Sequence, residues 1–197
     1  RQAMALGFVK GVTTNPALIA RTGRPGLDVL SDILALTSGP VFYQVTAQTV
    51  EGRAQQARQV FQLAPSQVIV KIPAMTENFT LAAQLAAEGV ECAVTAASSA
   101  AQAVLAALVG AAYVAPYVSR LTRYLGDGPA IVREMAAVVQ PTRTRIIAAS
   151  LKSTAEAVAA LLAGAHDVTL PLDLILAMGE HELSRQAIEE FDAVGAR

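Results

Sequence analysis

Lys71 sits inside the apolar, β-branched run Val68-Ile69-Val70-Lys71-Ile72-Pro73, which is bounded by Pro65-Ser66 and by Pro73 itself. Such a run reads as a buried parallel strand. An ammonium group in a low-dielectric interior is costly, so a lysine placed there tends to lose its proton. The neutral amine is a nucleophile that can form a Schiff base with a carbonyl compound. A strand-end lysine can also snorkel its charged head to solvent. The residues that close the neighbouring runs weigh against that second use. Thr13 and Asn15, then Gln44, Lys71, Thr95, Tyr117 and Ser150 close six successive runs. With side chains alternating at period two, Gln44 falls with Phe42, Lys71 with Ile69, Thr95 with Ala93, Tyr117 with Ala115 and Ser150 with Ala148. A lone Thr or Gln at a strand end is ordinarily a loop former. Six polar strand ends, one of them carrying the embedded lysine, point instead to a site, and polar residues at the strand starts read as much rarer.

The other two lysines differ. Lys10 precedes its strand, and Lys152 follows its strand near the start of a helix, where it should be solvated and cationic. Arg120 lies just past Tyr117, and Ser150 opens a turn that leads into a helix N-terminus. An arginine beside a helix N-terminus can clamp a phosphate. A surface salt bridge is the other use of Arg120.

The elements that would carry these residues alternate in type. Strands are expected at Gly11 to Pro16 (a short strand that ends in a turn), Val41 to Val45, Val68 to Pro73, Glu91 to Thr95, Tyr113 to Val118, Arg145 to Ser150 and Asp167 to Leu170. Helices are expected at Leu27 to Leu36, Thr49 to Leu63, Phe79 to Glu88, Ser99 to Val109, Pro129 to Val139, from the Ser153-Thr154-Ala155-Glu156 capping box to Gly164, and at Ala187 to Val194. Asp173 is expected to cap the helix that follows it, and Arg1 to Leu6 reads as a helix end closed by Gly7. A βα alternation implies a parallel sheet. Seven strands are one short of a (β/α)8 TIM barrel, so the fold class is α/β with the first barrel strand expected before Arg1. The chain reads as one barrel domain over residues 1–197. An open doubly wound sheet is the alternative, weakened by the lack of a GxGxxG turn.

Composition narrows the function classes. The chain has 197 residues, 53% hydrophobic and 16% charged, with net charge -1, which leaves no basic footprint for nucleic acid. The mean hydropathy is +0.44, yet no stretch approaches the ~18 uninterrupted apolar residues of a membrane-spanning helix. No secretory signal pattern is visible. The single Cys92 excludes an internal disulfide framework and suits a reducing cytoplasm. His166 and His181 lie far from other likely ligands, so no metal site is expected.

The segments GVTTNP (Gly11 to Pro16), FYQV (Phe42 to Val45), VIVKIP (Val68 to Pro73), Val94-Thr95, YVAPYVSR (Tyr113 to Arg120), AAS-K (Ala148 to Lys152) and TLPLD (Thr169 to Asp173) resemble the transaldolase family. They are most similar to its small-chain branch, which includes fructose-6-phosphate aldolase. The resemblance implies that Lys71 forms the Schiff base and that Thr13 and Asn15 orient substrate hydroxyls. It implies that Thr95 and Tyr117 handle a catalytic water and proton transfer, and that Arg120 and Ser150 bind phosphate. It also implies sugar-phosphate substrates, no cofactor, a homo-oligomer (a pentamer or decamer reached through the C-terminal helix) and a place in carbohydrate metabolism near the pentose phosphate pathway.

Two departures bear on this. The family carries an aspartate at the end of strand one, and nothing from Arg1 onward matches it. Transaldolases usually carry a glutamate in the third strand and a phenylalanine at the position of Tyr117, so Gln44 and Tyr117 resemble the aldolase pattern instead. The resulting expectation is a class I aldolase that cleaves fructose 6-phosphate to dihydroxyacetone and glyceraldehyde 3-phosphate. A transaldolase and a catalytically silent sugar-phosphate-binding barrel remain open. Deoxyribose-phosphate aldolase, also a Schiff-base barrel, is disfavoured because its VKTSTGF-like lysine motif is absent.

Overall fold

The structure is a computed structural model in which residues 1–195 are described. Its strands are β1 Val12–Thr13, β2 Val41–Gln44, β3 Val68–Pro73, β4 Cys92–Ala97, β5 Tyr113–Pro116, β6 Arg145–Ala148 and β7 Asp167–Val168. Its helices are α1 Gln2–Ala5, α2 Pro16–Ala20, α3 Gly26–Leu34, α4 Val50–Leu63, α5 Thr76–Ala87, α6 Ala100–Leu108, α7 Val118–Leu125, α8 Gly128–Val139, α9 Thr154–Leu162, α10 Leu172–Ala177 and α11 Glu182–Gly195. The strands pair in parallel in their sequence order, β1 to β7, as one curled sheet wrapped by helices. The architecture is α/β and TIM-barrel-like.

Register fixes what faces inward. Phe42 pairs with Ile69 and Gln44 with Lys71; Lys71 pairs with Ala93 and Thr95 with Ala115. Phe42, Ile69, Ala93, Ala115 and Ile147 pack together inside the curl with Tyr113. The alternate residues, among them Val41, Tyr43, Val68, Val70, Val94, Val114, Ile146 and Ala148, pack outward against the helices. A sheet covered on both faces explains the nearly unbroken apolar runs.

Helix starts are set by capping residues that follow the strand ends. Asn15, Thr49, Ser99, Asp127 and Ser153 each accept a hydrogen bond at the helix start, from the N–H of Leu18, Gly52, Gln102, Ala130 and Glu156. The structure departs from the expected elements in several places. The strand expected over Tyr113 to Val118 stops at Pro116, and α7 begins at Val118. α5 starts at Thr76 rather than Phe79, and β7 ends at Val168. Asp173 lies inside the first turn of α10, whose N-cap is Pro171. α11 starts at Glu182 and has no buried residue; Leu183, Ile188, Phe191 and Val194 are all exposed.

Candidate active site

Lys71 lies on β3, with 6% of its surface exposed. Its Nζ donates to the carbonyl oxygen of Thr14 at 2.8 Å. A carbonyl stabilises the amine without adding negative charge. Burial therefore decides the outcome and pulls the pKa from its ordinary 10.5 to about 8. Lys10 and Lys152 are both exposed, so Lys71 is the embedded lysine, as its apolar run predicts.

Gln44 is the register partner of Lys71 on β2, half-buried, with its Oε1 buried and lacking a protein partner. On the other side, Thr95 is 1% exposed. Its Oγ1 donates to the Tyr117 Oη at 3.4 Å, a long contact that links β4 to the residue capping α7. A bulge after Thr95 shifts the β4–β5 register, and Ala96 there holds φ at 58°. A left-handed alanine is unfavourable and persists only when its surroundings fix it. Beyond Tyr117, the Arg120 guanidinium stacks 5.2 Å from the phenol ring centroid. Among the described residues Arg120 has no acidic partner, so the surface salt bridge is not the use it finds here.

Ser150 is placed differently from the simple alternation, and Asn15 is engaged by a helix start. Ala148 packs outward and Ile147 inward, so alternation does not carry Ser150 to the interior on the side of Ala148. The strand instead ends at Ala148, and Ser150 turns the chain with φ at 59°. The helix after it is capped by Ser153, three residues on. Asn15 falls on the side of Thr13, but its Oδ1 is engaged by the N–H of Leu18 at the start of α2. Thr13 Oγ1 lies 2.7 Å from Thr169 Oγ1.

The rim thus holds a desolvated amine, an amide beside it, a hydroxyl–phenol pair and a guanidinium with no counter-charge. Such a set can attack a carbonyl, move a proton and receive an anion. A family model described as transaldolase/fructose-6-phosphate aldolase matches residues 1–196. The chain belongs to the transaldolase/fructose-6-phosphate aldolase family. It is an enzyme of the Schiff-base aldolase/transaldolase type.

Among similar family members, a probable transaldolase of Symbiobacterium thermophilum is 36% identical over 193 residues, 97% of this chain and 89% of that protein. A probable transaldolase of Desulforudis audaxviator is 38% identical over the same shares. One from Caulobacter sp. (strain K31) is 38% identical over 94% of this chain and 86% of its own. Among solved structures, a putative deoxyribose-phosphate aldolase from Coccidioides immitis superposes with a TM-score of 0.54 at 21% identity, covering 72% of this chain and 66% of that one. Inosine 5' monophosphate dehydrogenase from Legionella pneumophila gives 0.59 at 16% identity, covering 84% and 58%. At those identities the two structures bear on the fold alone.

Two participants escaped the reading by residue type. Thr14 reads as an outward residue of the strand, and it is the backbone carbonyl that meets Lys71. Thr169 lies past the last strand and is brought to Thr13 by the curl of the sheet. Neither contact leaves a sequence signal.

Proposed function

We propose that this family member is a class I aldolase that interconverts fructose 6-phosphate with dihydroxyacetone and glyceraldehyde 3-phosphate. The observation that carries the reading is Lys71, buried, bonded to a backbone carbonyl and lowered to a pKa of about 8. Near neutral pH such an amine is free often enough to attack.

Lys71 Nζ adds to the C2 carbonyl of the ketose, and loss of water gives an iminium. The C4 hydroxyl gives up its proton and the C3–C4 bond breaks. Its electron pair flows through C3 and C2 to the iminium nitrogen. Glyceraldehyde 3-phosphate leaves, and an enamine stays on Lys71. Protonation at C3 and hydrolysis release dihydroxyacetone and restore the amine. Gln44 cannot serve as a base, so we assign the proton traffic to Tyr117, Thr95 and the water between them and substrate. Thr13 and Asn15 are assigned to substrate hydroxyls. Arg120, unpaired and stacked on Tyr117, is assigned with Ser150 to the phosphate.

The names of the relatives favour the second reading, a transaldolase that passes the three-carbon unit to an aldose. A phenol beside the enamine favours protonation and release over waiting for an acceptor, and on that ground the aldolase is preferred. Free dihydroxyacetone per turnover, with and without erythrose 4-phosphate, separates the two. Release without acceptor is expected. Negligible release without acceptor, and fast transfer with it, would make the protein a transaldolase. Failure to trap dihydroxyacetone on the protein with borohydride would leave a silent sugar-phosphate binder.

The same proposal includes one barrel domain over residues 1–197, a cytoplasmic setting and a homo-oligomer, pentameric or decameric. Assembly is supported by α11, whose apolar stripe of Leu183, Ile188, Phe191 and Val194 is exposed among the described residues. Light scattering should report a multiple of the 20.4 kDa chain; a monomer removes the ring.

A further inference from the structure

A groove of about 270 Å³ opens at the C-terminal ends of β2 and β3, lined by Gln44, Thr46, Arg53, Pro73, Met75 and Asn78. It adjoins the lysine site through Gln44, the register partner of Lys71, and Pro73, two residues beyond Lys71 on its own strand. Two residues of α4, Arg53 and Gln56, hold the loop that follows Gln44. Arg53 Nη1 donates to the carbonyls of Ala47 at 3.3 Å and Gln48 at 3.0 Å. Gln56 Oε1 accepts from the N–H of Thr46 at 2.8 Å and of Ala47 at 3.1 Å. The loop thus has its acceptors taken by one side chain and its donors by the other.

Arg53 also reaches the start of α5. Its Nη2 pairs with Glu77 at 2.6 Å, and the next residue, Asn78, donates from Nδ2 to the Pro73 carbonyl at 2.9 Å. Three buried side-chain atoms of the groove have no protein partner among the described residues: Gln44 Oε1, Arg53 Nε and Asn78 Oδ1. Left alone, each would carry a desolvation penalty. Two acceptors and one donor match what one water molecule can bridge.

We propose that Arg53 is a positioning residue for the reaction at Lys71, acting through Gln44. Its fork fixes the loop that follows the end of β2, and Arg53 and Gln44 line the same groove. The Arg53 side chain is 11% exposed, with Nη1 on the loop carbonyls and Nη2 on Glu77, which suits it to holding the loop. This inference rests on the Schiff-base reading of Lys71.

The test is a double-variant cycle on the full chain, with fructose 6-phosphate cleavage as the rate. Arg53→Met should lower kcat about tenfold, the scale of a small misplacement at a reacting centre, with KM nearly unchanged. Gln44→Ala should also lower kcat. In the Gln44→Ala background, Arg53→Met should cost no more than about twofold further. Glu77→Gln, which removes the ion pair and leaves the loop clamp, should stay near wild type. If Arg53→Met does not fold, Arg53→Lys, which keeps the charge and loses the fork, completes the same cycle.

Additive losses, an inert Gln44→Ala, or a Glu77→Gln loss equal to that of Arg53→Met would each overturn the proposal. Borohydride trapping distinguishes the two levels. A wild type that traps dihydroxyacetone while the cycle is additive keeps the function and loses this inference. A wild type that neither traps nor cleaves loses both.

Discussion

Arg145 and Lys71 are cations rooted in the same parallel sheet, at opposite ends of its strands. Arg145 opens β6, and its Nε and Nη2 both bond the Asp167 carboxylate at the start of β7, at 3.1 and 3.0 Å. Both partners are about half exposed, and the charge is answered in water. Lys71 is buried in mid-sheet near the strand ends and is answered by a carbonyl. Polar residues at the strand starts are therefore less rare than expected, since Tyr113, Arg145 and Asp167 all open strands. What differs is satisfaction. At the starts the polar groups are spent on one another. At the ends they keep capacity for something from outside: among the described residues Lys71 has no counter-charge, Arg120 no acid, and Gln44 Oε1 no partner.

The sharpest way to break this comparison is to neutralise each cation. Lys71→Met should abolish borohydride trapping and lower cleavage by about 10⁴-fold or more. Arg145→Met should leave activity intact. The stability effects should run the other way. The folded pKa of Lys71, about 8, lies below its ordinary 10.5, so the unfolded chain binds the proton more tightly. The cost is full below pH 8 and is relieved as pH rises from about 8 to 10.5. It amounts to about 3 kcal/mol. Lys71→Met should therefore be more stable than wild type at pH 7, with the gain fading above pH 8 in denaturant titrations. Arg145→Met should lose less than about 1 kcal/mol, as exposed pairs do.

Next in size is the phenol. Tyr117→Phe should depress fructose 6-phosphate cleavage by roughly 10²-fold, the range for losing one acid–base group. Transfer to erythrose 4-phosphate, if present, should suffer less. Equal losses would show that the hydroxyl does not steer the enamine.

Arg120→Ala should raise KM for glyceraldehyde 3-phosphate by about tenfold or more, the worth of a charged hydrogen bond, and leave unphosphorylated glyceraldehyde nearly untouched. Steady-state kinetics with the two aldehydes decide it.

Smaller still, kcat/KM for cleavage should rise with pH as the free Lys71 amine deprotonates and level off above about 8. The smallest effect is expected at Ala96, where φ of 58° suits glycine. Ala96→Gly should be neutral or stabilising by about 1 kcal/mol, read from thermal unfolding.

The alternation of apolar runs with capped helices made the parallel sheet legible, because both faces of a covered sheet must be apolar and each cap must supply an acceptor. The same periodicity put Gln44, Lys71 and Thr95 on one face, and the pairing of Gln44 with Lys71 and of Lys71 with Ala93, two residues before Thr95, agrees with it. It failed where the backbone leaves the strand without a marker. Ser150 and Ala96 take left-handed angles that a glycine would have announced. The run Tyr113 to Val118 reads as β by residue type. Pro116 accepts from Ala149 and the Val118 N–H donates back to the Ala149 carbonyl, so pairing continues as a single bridge at Tyr117 before Val118 opens α7. The loop clamp of Arg53 was hidden for another reason. A polar residue on a Gln-rich helix looks solvated until the neighbouring loop is seen to fold over it.

The bond between Thr13 and Thr169 spans 156 positions, whereas every strand pairs with the strand next in sequence. That has a kinetic consequence. A sheet of sequential neighbours can assemble stepwise through short loop closures, and contacts between distant positions come late because their closure entropy is largest. The Thr13–Thr169 contact should therefore be absent from the folding transition state. Thr169→Val should speed unfolding and leave the refolding limb of the chevron unchanged, so that this bond sets how long the native protein lasts rather than how fast it forms.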